Sequence, residues 1–213
     1  MLEVELKFRA GGPDALQRLR VAPTLGPAML GAPDTYDELD RYLDTADLRL
    51  AARRWACRLR TRRGDTIVSL KGPAEPTAGG DAALHRRPEL EGPATDRPDA
   101  ADWPPSTARD RLLDLSDGKP LLERLSLAQR RTERDVLVDG ASIGTLSLDH
   151  VQVWRDGRQR GELWCVELEQ HADDGDADLH ELAHALNGAD GLVPDPLTKL
   201  EHALGLAPEA AAT

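Results

Sequence analysis

Stretches in which apolar and charged residues alternate recur along the chain. The first, residues 2–9, turns apolar side chains to one side and Glu3, Glu5 and Lys7 to the other. A repeat of two residues indicates a β-strand with one apolar and one charged face. Similar patterns predict further strands at 34–44, 55–61, 65–71, 85–91, 130–138, 145–154 and 162–169, with a hairpin turn at Arg63-Gly64. The chain is therefore expected to form about eight strands.

Helical periodicity and turn-forming residues separate these strands. Helices are predicted at 15–19, 106–115, 178–186 and 197–206, and residues 121–127 are expected to extend the helical layer. Gly and Pro residues mark 72–83 as a loop and 92–105 as a linker or mobile excursion. The length of 213 residues suits one domain, which we place at 1–206 with a disordered tail at 207–213.

The composition argues against several classes of protein. The chain has 27 Lys and Arg against 38 Asp and Glu, a formal net charge of −11 and a pI near 5.0. A surface that binds nucleic acid needs a basic face, and a membrane span needs about 20 apolar residues in a row. The first residues also lack the basic and apolar regions of a signal peptide. We therefore expect a cytoplasmic protein with no nucleic-acid or membrane partner.

The charged sides of the strands hold acids or bases in rows. Arg58, Arg60 and Arg62 share one side of a strand, and Glu167 and Glu169 share one side of another. A single charged row is usually a solvated face, but four such strands in one acidic protein indicate a common space. Carboxylates in such a channel can hold Mg²⁺ or Mn²⁺, and arginines suit the oxygens of phosphate. The acids and bases would neutralise each other when the channel is empty.

Short motifs resemble, in chain order, those of the CYTH or triphosphate tunnel metalloenzyme superfamily. Glu3-Val4-Glu5-Leu6-Lys7 resembles its ExExK signature, and residues 87–91 (Arg-Pro-Glu-Leu-Glu) resemble its RxExE strand. Further similar segments are Tyr42-Leu43-Asp44-Thr45, Arg58-Leu59-Arg60, Leu70-Lys71-Gly72, Leu148-Asp149, Glu167-Leu168-Glu169 and Thr198-Lys199. One departure is Gln170-His171, where the family often has Lys or Arg.

The resemblance implies an α+β fold, an antiparallel eight-stranded β-barrel that forms a tunnel and is flanked by helices. It implies a triphosphate substrate and a divalent cation, Mg²⁺ or Mn²⁺. The metal ligands would be Glu3, Glu5 and one or both of Glu167 and Glu169. The substrate-binding bases would be Lys7, Arg58, Arg60, Lys71, Arg87, Arg131 and Lys199. Tunnel acids that orient these bases or help to bind a second metal would be Glu89, Glu91 and Asp149. Glu3, Glu5, Lys7, Arg58 and Arg60 would carry the catalysis.

The leading hypothesis is metal-dependent hydrolysis of a small triphosphate, with inorganic tripolyphosphate first among the substrates. The same tunnel could serve a class IV adenylate cyclase, although no set of residues is recognisable as an adenine-binding pocket. It could also serve a thiamine triphosphatase, although aromatic residues that would stack on the thiamine ring are scarce. A hypothesis of another class is a polyphosphate-binding module without turnover, which the many carboxylates disfavour. The sequence leaves the oligomeric state open, and a homodimer is compatible with it.

Overall fold

The computed structural model describes residues 1–74, 83–171 and 176–208, so parts of the predicted loop (75–82) and tail (209–213) lie outside the described residues. Within this part the strands are β1 (Leu2–Ala10), β2 (Thr24–Leu25), β3 (Ala28–Leu30), β4 (Asp34–Thr45), β5 (Ala56–Arg62), β6 (Asp65–Lys71), β7 (Leu84–Pro93), β8 (Leu121–Val138), β9 (Ala141–Arg155), β10 (Arg158–Gln170) and β11 (Leu192–Pro194). The helices are α1 (Pro13–Val21), α2 (Arg49–Ala52), α3 (Thr107–Ser116), α4 (Asp176–Asn187) and α5 (Lys199–Leu206), with a 3-10 helix at Ala100–Asp102.

Eight of these strands close into an antiparallel barrel. Their order is β8-β4-β5-β6-β7-β1-β10-β9, and β9 pairs back with β8. Short β2 and β3 extend the sheet beside β8, and β11 adds to β1. The predicted α+β barrel is confirmed. Because a closed barrel has one interior, the inward faces of all eight strands meet in one space.

The prediction that residues 121–127 are helical is wrong. They form the first third of β8, an 18-residue strand that pairs with β4 along one edge and β9 along the other. Leu121 and Leu125 are four residues apart, a spacing that suits a helix and a strand face equally well. Pairing with β4 as far as Thr45↔Leu121 selects the strand.

The predicted hairpin between β5 and β6 is present. Arg63 and Gly64 form its two-residue turn, both with positive φ, at 51° and 93°. Turns of this type follow the right-handed twist of the flanking strands. The turn sets the register in which Arg58, Arg60 and Arg62 face inward together.

Two apolar layers cover the outside of the barrel. One packs α1 and α4 on the outward residues of β1 and β10, among them Phe8 and Leu168. The other packs α2 and α3 over β5 and β6, around Leu59 and Leu112. Trp103, from the segment predicted as a linker or excursion, is buried in this second layer. That segment therefore supports the outer wall of the barrel.

Helix α5 fills part of the barrel interior. Its Ala203 packs with Leu127, Val153 and Leu163, which share the inward side of their strands with charged residues further along. Ala207, within the predicted tail, is also buried in this cluster. The apolar cluster leaves the rest of the interior to polar side chains. In the described ranges, none of the helices is long and apolar enough to cross a membrane.

Candidate functional site

A cavity of about 1200 Å³ occupies the polar part of the barrel. Of the residues that the sequence predicts as site residues, all but Asp149 line it: Glu3, Glu5, Lys7, Arg58, Arg60, Lys71, Arg87, Glu89, Glu91, Arg131, Glu167, Glu169 and Lys199. Asp149 lies directly behind the lining, fully buried. Residues from seven barrel strands and from α5 thus come together in one space, as the alternating patterns predict.

Three carboxylates form a cluster in this cavity. One oxygen each of Glu3, Glu89 and Glu169 lies within 4.8 Å of the others. Desolvation inside the barrel and the charge of Glu3 raise the pKa of Glu169 to about 7, with Glu5 adding to the shift. Three carboxylate oxygens at this spacing are the donors that a hard divalent cation prefers, and a cation would relieve their repulsion. The cluster therefore fits Mg²⁺ or Mn²⁺.

Two bases border the carboxylate cluster. Lys71 Nζ contacts Glu3 and lies 3.3 Å from Glu89 Oε1. Arg87 donates from Nε to Glu3 Oε2 at 2.7 Å and from Nη2 to Glu5 Oε1 at 2.9 Å. Burial by itself would raise the pKa of Glu3, but Lys71 and Arg87 hold it below its usual range. Both bases are therefore close enough to exchange their contacts with these carboxylates for contacts with the oxygens of an anion bound beside them.

The arginines of β5 are paired with acids of the neighbouring strand β4. Arg60 donates to both oxygens of Asp40 and lies 3.0 Å from Glu38 Oε1. Gln129 of β8 donates to both acids, to Glu38 Oε1 at 3.1 Å and Asp40 Oδ2 at 2.8 Å. Arg58 lies 3.4 Å from Asp40 and 3.9 Å from Glu89 Oε1. The acids of β4 therefore orient the two arginines towards the cavity.

Arg58 has a buried donor that no group in the described part of the chain satisfies. Its Nε is buried, and among the described residues it has no hydrogen-bond partner. Its other nitrogens make only long contacts, at 3.4 Å, to Asp40 and Ser69. An unpaired buried donor is unfavourable by about 1–3 kcal/mol, and this one is sealed from the cavity. The side chain nevertheless lines the cavity, so its loosely held terminal nitrogens are the donors of Arg58 closest to an anion bound there.

A second buried network anchors α5 to the barrel. Lys199 Nζ lies 2.6 Å from both Asp149 Oδ2 and Glu167 Oε2. Arg131 holds Asp149 by two hydrogen bonds of 2.8 Å and reaches Glu167 Oε2 at 3.3 Å. Burial would raise the pKa of Asp149, but Arg131 and Lys199 lower it. Arg131 and Lys199 thus remain charged at this part of the cavity.

The chain matches the model of the CYTH domain family over residues 1–203. It belongs to the CYTH domain family. Among curated proteins, none matches the chain. The family assignment agrees with the barrel and with the position of each motif inside it.

Solved structures share this CYTH fold at low sequence identity. A Hippeastrum protein, HpAC1, described as an adenylyl cyclase candidate with a dominant triphosphatase activity, is 21% identical with a TM-score of 0.69, covering 95% of each chain. An adenylate cyclase candidate from Bacillus halodurans is 20% identical with a TM-score of 0.57, covering 94% of this chain and 97% of its own. PH1819 from Pyrococcus horikoshii OT3 is 19% identical with a TM-score of 0.54, and the match covers 95% of this chain and 98% of the PH1819 chain.

The carboxylate cluster of this CYTH domain differs from the ligand set that the resemblance implies. Glu3 and Glu169 are in both, but the cluster is completed by Glu89, expected as a tunnel acid that orients bases or helps to bind a second metal. Glu5 instead lies 2.9 Å from Lys7 Nζ and from Arg87, and Glu167 is paired with Lys199. The short motif RxExE does not reveal which acid faces which partner, because that depends on how the barrel closes.

The sequence reasoning missed several residues of the cavity wall. Glu38 and Asp40 are almost fully buried, and Glu133 lines the cavity. Arg62, which the sequence places in the row with Arg58 and Arg60 but not among the substrate-binding bases, lines the cavity as well. A signal was present, because Glu38, Asp40 and Tyr42 share one side of β4 by their spacing of two. Leu39 and Leu43, on the opposite side, obscured that alternation.

Proposed function

We propose that this CYTH domain catalyses the divalent-metal-dependent hydrolysis of a small triphosphate, with inorganic tripolyphosphate as the first substrate. One observation carries the proposal: the carboxylate cluster of Glu3, Glu89 and Glu169 shares a cavity with a dense set of bases. Binding of an anion alone would need fewer carboxylates, whereas a cation together with a polyanion needs both sets. The triphosphatase activity of the Hippeastrum protein agrees with this function.

The bases provide the binding energy and the orientation. A triphosphate carries several negative charges at neutral pH. Lys71, Arg87 and Arg58 are within reach of the carboxylate cluster and would exchange contacts with acids for contacts with phosphate oxygens. Arg131 and Lys199 would hold the other end of the chain of phosphates. Fixing the triphosphate at both ends favours one geometry for attack by water.

The metal would be held by Glu3, Glu89 and Glu169. When bound it supplies positive charge to the phosphate oxygens and lowers the pKa of a water molecule. Catalysis of phosphoryl transfer is largely positioning and electrostatic stabilisation, so the remaining work falls to the arginines and lysines. Arg58 and Arg60, preoriented by Asp40, would stabilise charge that develops on the leaving phosphate or pyrophosphate. The barrel wall keeps bulk water from competing for these donors.

The test is incubation of the purified protein with tripolyphosphate, ATP or thiamine triphosphate, each with Mg²⁺ or Mn²⁺. We expect release of orthophosphate, fastest from tripolyphosphate, and its loss with EDTA. Formation of cyclic AMP would assign a cyclase, and preference for thiamine triphosphate would assign that substrate. Glu3→Gln should abolish turnover, while Glu123→Gln, outside the cavity and paired with Arg41, serves as the matched control. Binding of all three compounds without any product would contradict an enzyme.

A further inference from the structure

Arg62 extends the row of arginines to the edge of the cavity. Arg58, Arg60 and Arg62 alternate along β5 and all line the cavity. Since residues in a strand advance by about 3.3 Å, neighbouring members of the row lie roughly 6–7 Å apart at their Cα atoms. The row starts beside the carboxylate cluster, where Arg58 lies 3.9 Å from Glu89, and ends at Arg62, whose side chain is 47% exposed.

Of the three guanidinium groups in the row, that of Arg62 has the most nitrogens without a hydrogen-bond partner among the described residues. Its Nη1 donates to the Tyr36 hydroxyl at 2.9 Å and lies 3.8 Å from Glu133 Oε1. Within the described ranges its Nε and Nη2 have no hydrogen-bond partner, whereas Arg60 is held by two acids. One nitrogen therefore fixes the side chain at the edge, and two remain available to an incoming anion.

Tyr36 is what keeps Arg62 at that position. Its ring centroid lies 5.6 Å from the Arg62 guanidinium and 4.6 Å from that of Arg63. Arg63 pairs with Asp34 and does not line the barrel cavity. Two adjacent arginines thus share one aromatic ring, but only one of them faces the proposed substrate. This makes Arg63 a matched control for Arg62.

A triphosphate bound at the carboxylate cluster engages the inner bases first. In the proposed pose Arg131 holds the far end of the triphosphate. Arg62 and Arg131 lie 3.8 and 3.7 Å from the same oxygen, Oε1 of Glu133, so Arg62 is the next base beyond that end. We propose that Arg62 binds an additional anionic group of an extended substrate, and that the site accepts linear polyphosphates longer than three phosphates. This inference rests on the proposed function and specifies its substrate class.

The experiment compares linear tetrapolyphosphate with tripolyphosphate. The kcat/KM ratio of tetra- to tripolyphosphate is measured by phosphate release in wild type, Arg62→Gln, Arg63→Gln and Glu133→Gln. We expect Arg62→Gln to lower the ratio about tenfold, because a charge-assisted contact to the fourth phosphate is lost. Arg63→Gln should leave the ratio unchanged. Glu133→Gln should change kcat/KM on both compounds, because its carboxylate lies as close to Arg131 as to Arg62. The effect of Arg62 should weaken at high salt.

Each outcome decides one question. Equal loss on both substrates in Arg62→Gln, or equal changes in Arg62→Gln and Arg63→Gln, would overturn the role of Arg62 while leaving the triphosphatase intact. If neither compound is hydrolysed with Mg²⁺ or Mn²⁺, the proposed function fails. The ratio of the two binding constants, measured by calorimetry in EDTA with the same variants, then decides the role of Arg62. Absence of binding of both anions overturns both.

Discussion

Arg60 donates two parallel hydrogen bonds to Asp40, from Nε to Oδ1 at 2.8 Å and from Nη2 to Oδ2 at 2.9 Å. Asp40 is completely buried. Burial would raise the pKa of Asp40, but Arg60 and Arg58 hold it well below its usual range. A charged, buried acceptor with this forked geometry sets the plane of the guanidinium before any substrate arrives.

Replacement of this acid should be costly for folding. Asp40→Asn leaves Arg60 with a weaker partner in a buried position, and removal of one member of a buried pair typically costs about 3–5 kcal/mol. We expect a loss of at least about 2 kcal/mol by urea denaturation, because Glu38 still offers one acceptor. Asp37→Asn, on the same strand, breaks only the exposed pair with Arg130 and should cost less than about 1 kcal/mol. Equal losses in the two variants would show that the fork is not a stabilising contact.

The metal site should depend on Glu89 more than on Glu5. Glu89 contributes an oxygen to the carboxylate cluster, whereas Glu5 is engaged by Lys7 and Arg87. We expect Glu89→Gln to weaken Mn²⁺ binding, measured by electron paramagnetic resonance or calorimetry, by about tenfold or more, since one of three charged ligands is lost. Glu5→Gln should weaken it less. The reverse order would favour the ligand set implied by the sequence motifs.

Much of the barrel could be predicted because its strands are strongly alternating. In β1 the apolar residues Leu6 and Phe8 pack outside while Glu5 and Lys7 face the cavity, and one repeat of two residues encodes both. The same physical rule gave the inward direction of Arg58 and Arg60. Inward direction alone decides which residues share the interior, and this is why nearly all predicted site residues line one cavity.

The partners across the barrel could not be predicted from one strand at a time. Glu3, Glu89 and Glu169 meet because β7, β1 and β10 are neighbours in a fixed register, in which Glu3 is opposite Arg87 and Glu5 is opposite Glu169. Register depends on turns and bulges throughout the sheet. The helical prediction for 121–127 failed for a related reason, since only pairing with two neighbouring strands identifies this segment as part of β8.

Binding of the metal should depend on pH near neutrality. Desolvation and the neighbouring carboxylates raise the pKa of Glu169 to about 7, so this group is largely protonated at pH 6 and largely ionised at pH 8. Because a cation competes with that proton, the affinity for Mg²⁺ should rise between pH 6 and pH 8, by up to about tenfold per pH unit below the pKa. Calorimetry across this range measures it. Glu169→Gln should bind the ion weakly with little pH dependence, and a wild-type affinity that is flat across this range would contradict the assignment.

The cap of α5 should control how phosphate is bound. Thr198 Oγ1 accepts from the backbone N–H of Glu201 at 3.2 Å, and Glu201 accepts from the N–H of Thr198 at 2.7 Å. This capping box fixes the first turn of the helix, where Lys199 reaches into the barrel. Thr198→Ala should cost about 1 kcal/mol in stability and raise KM for the triphosphate, because Lys199 loses its fixed position.

Ser106→Ala provides the matched control for this cap. Ser106 caps α3 in the same way, accepting from the N–H of Arg109 at 3.1 Å, but α3 packs on the outside of the barrel. Its replacement should lower stability by a similar amount, about 1 kcal/mol, with KM unchanged. Thr198→Ser should restore KM because it keeps the hydroxyl. If both alanine variants changed KM equally, general loosening of the fold would explain the effect, and the specific coupling of Thr198 to Lys199 would be wrong.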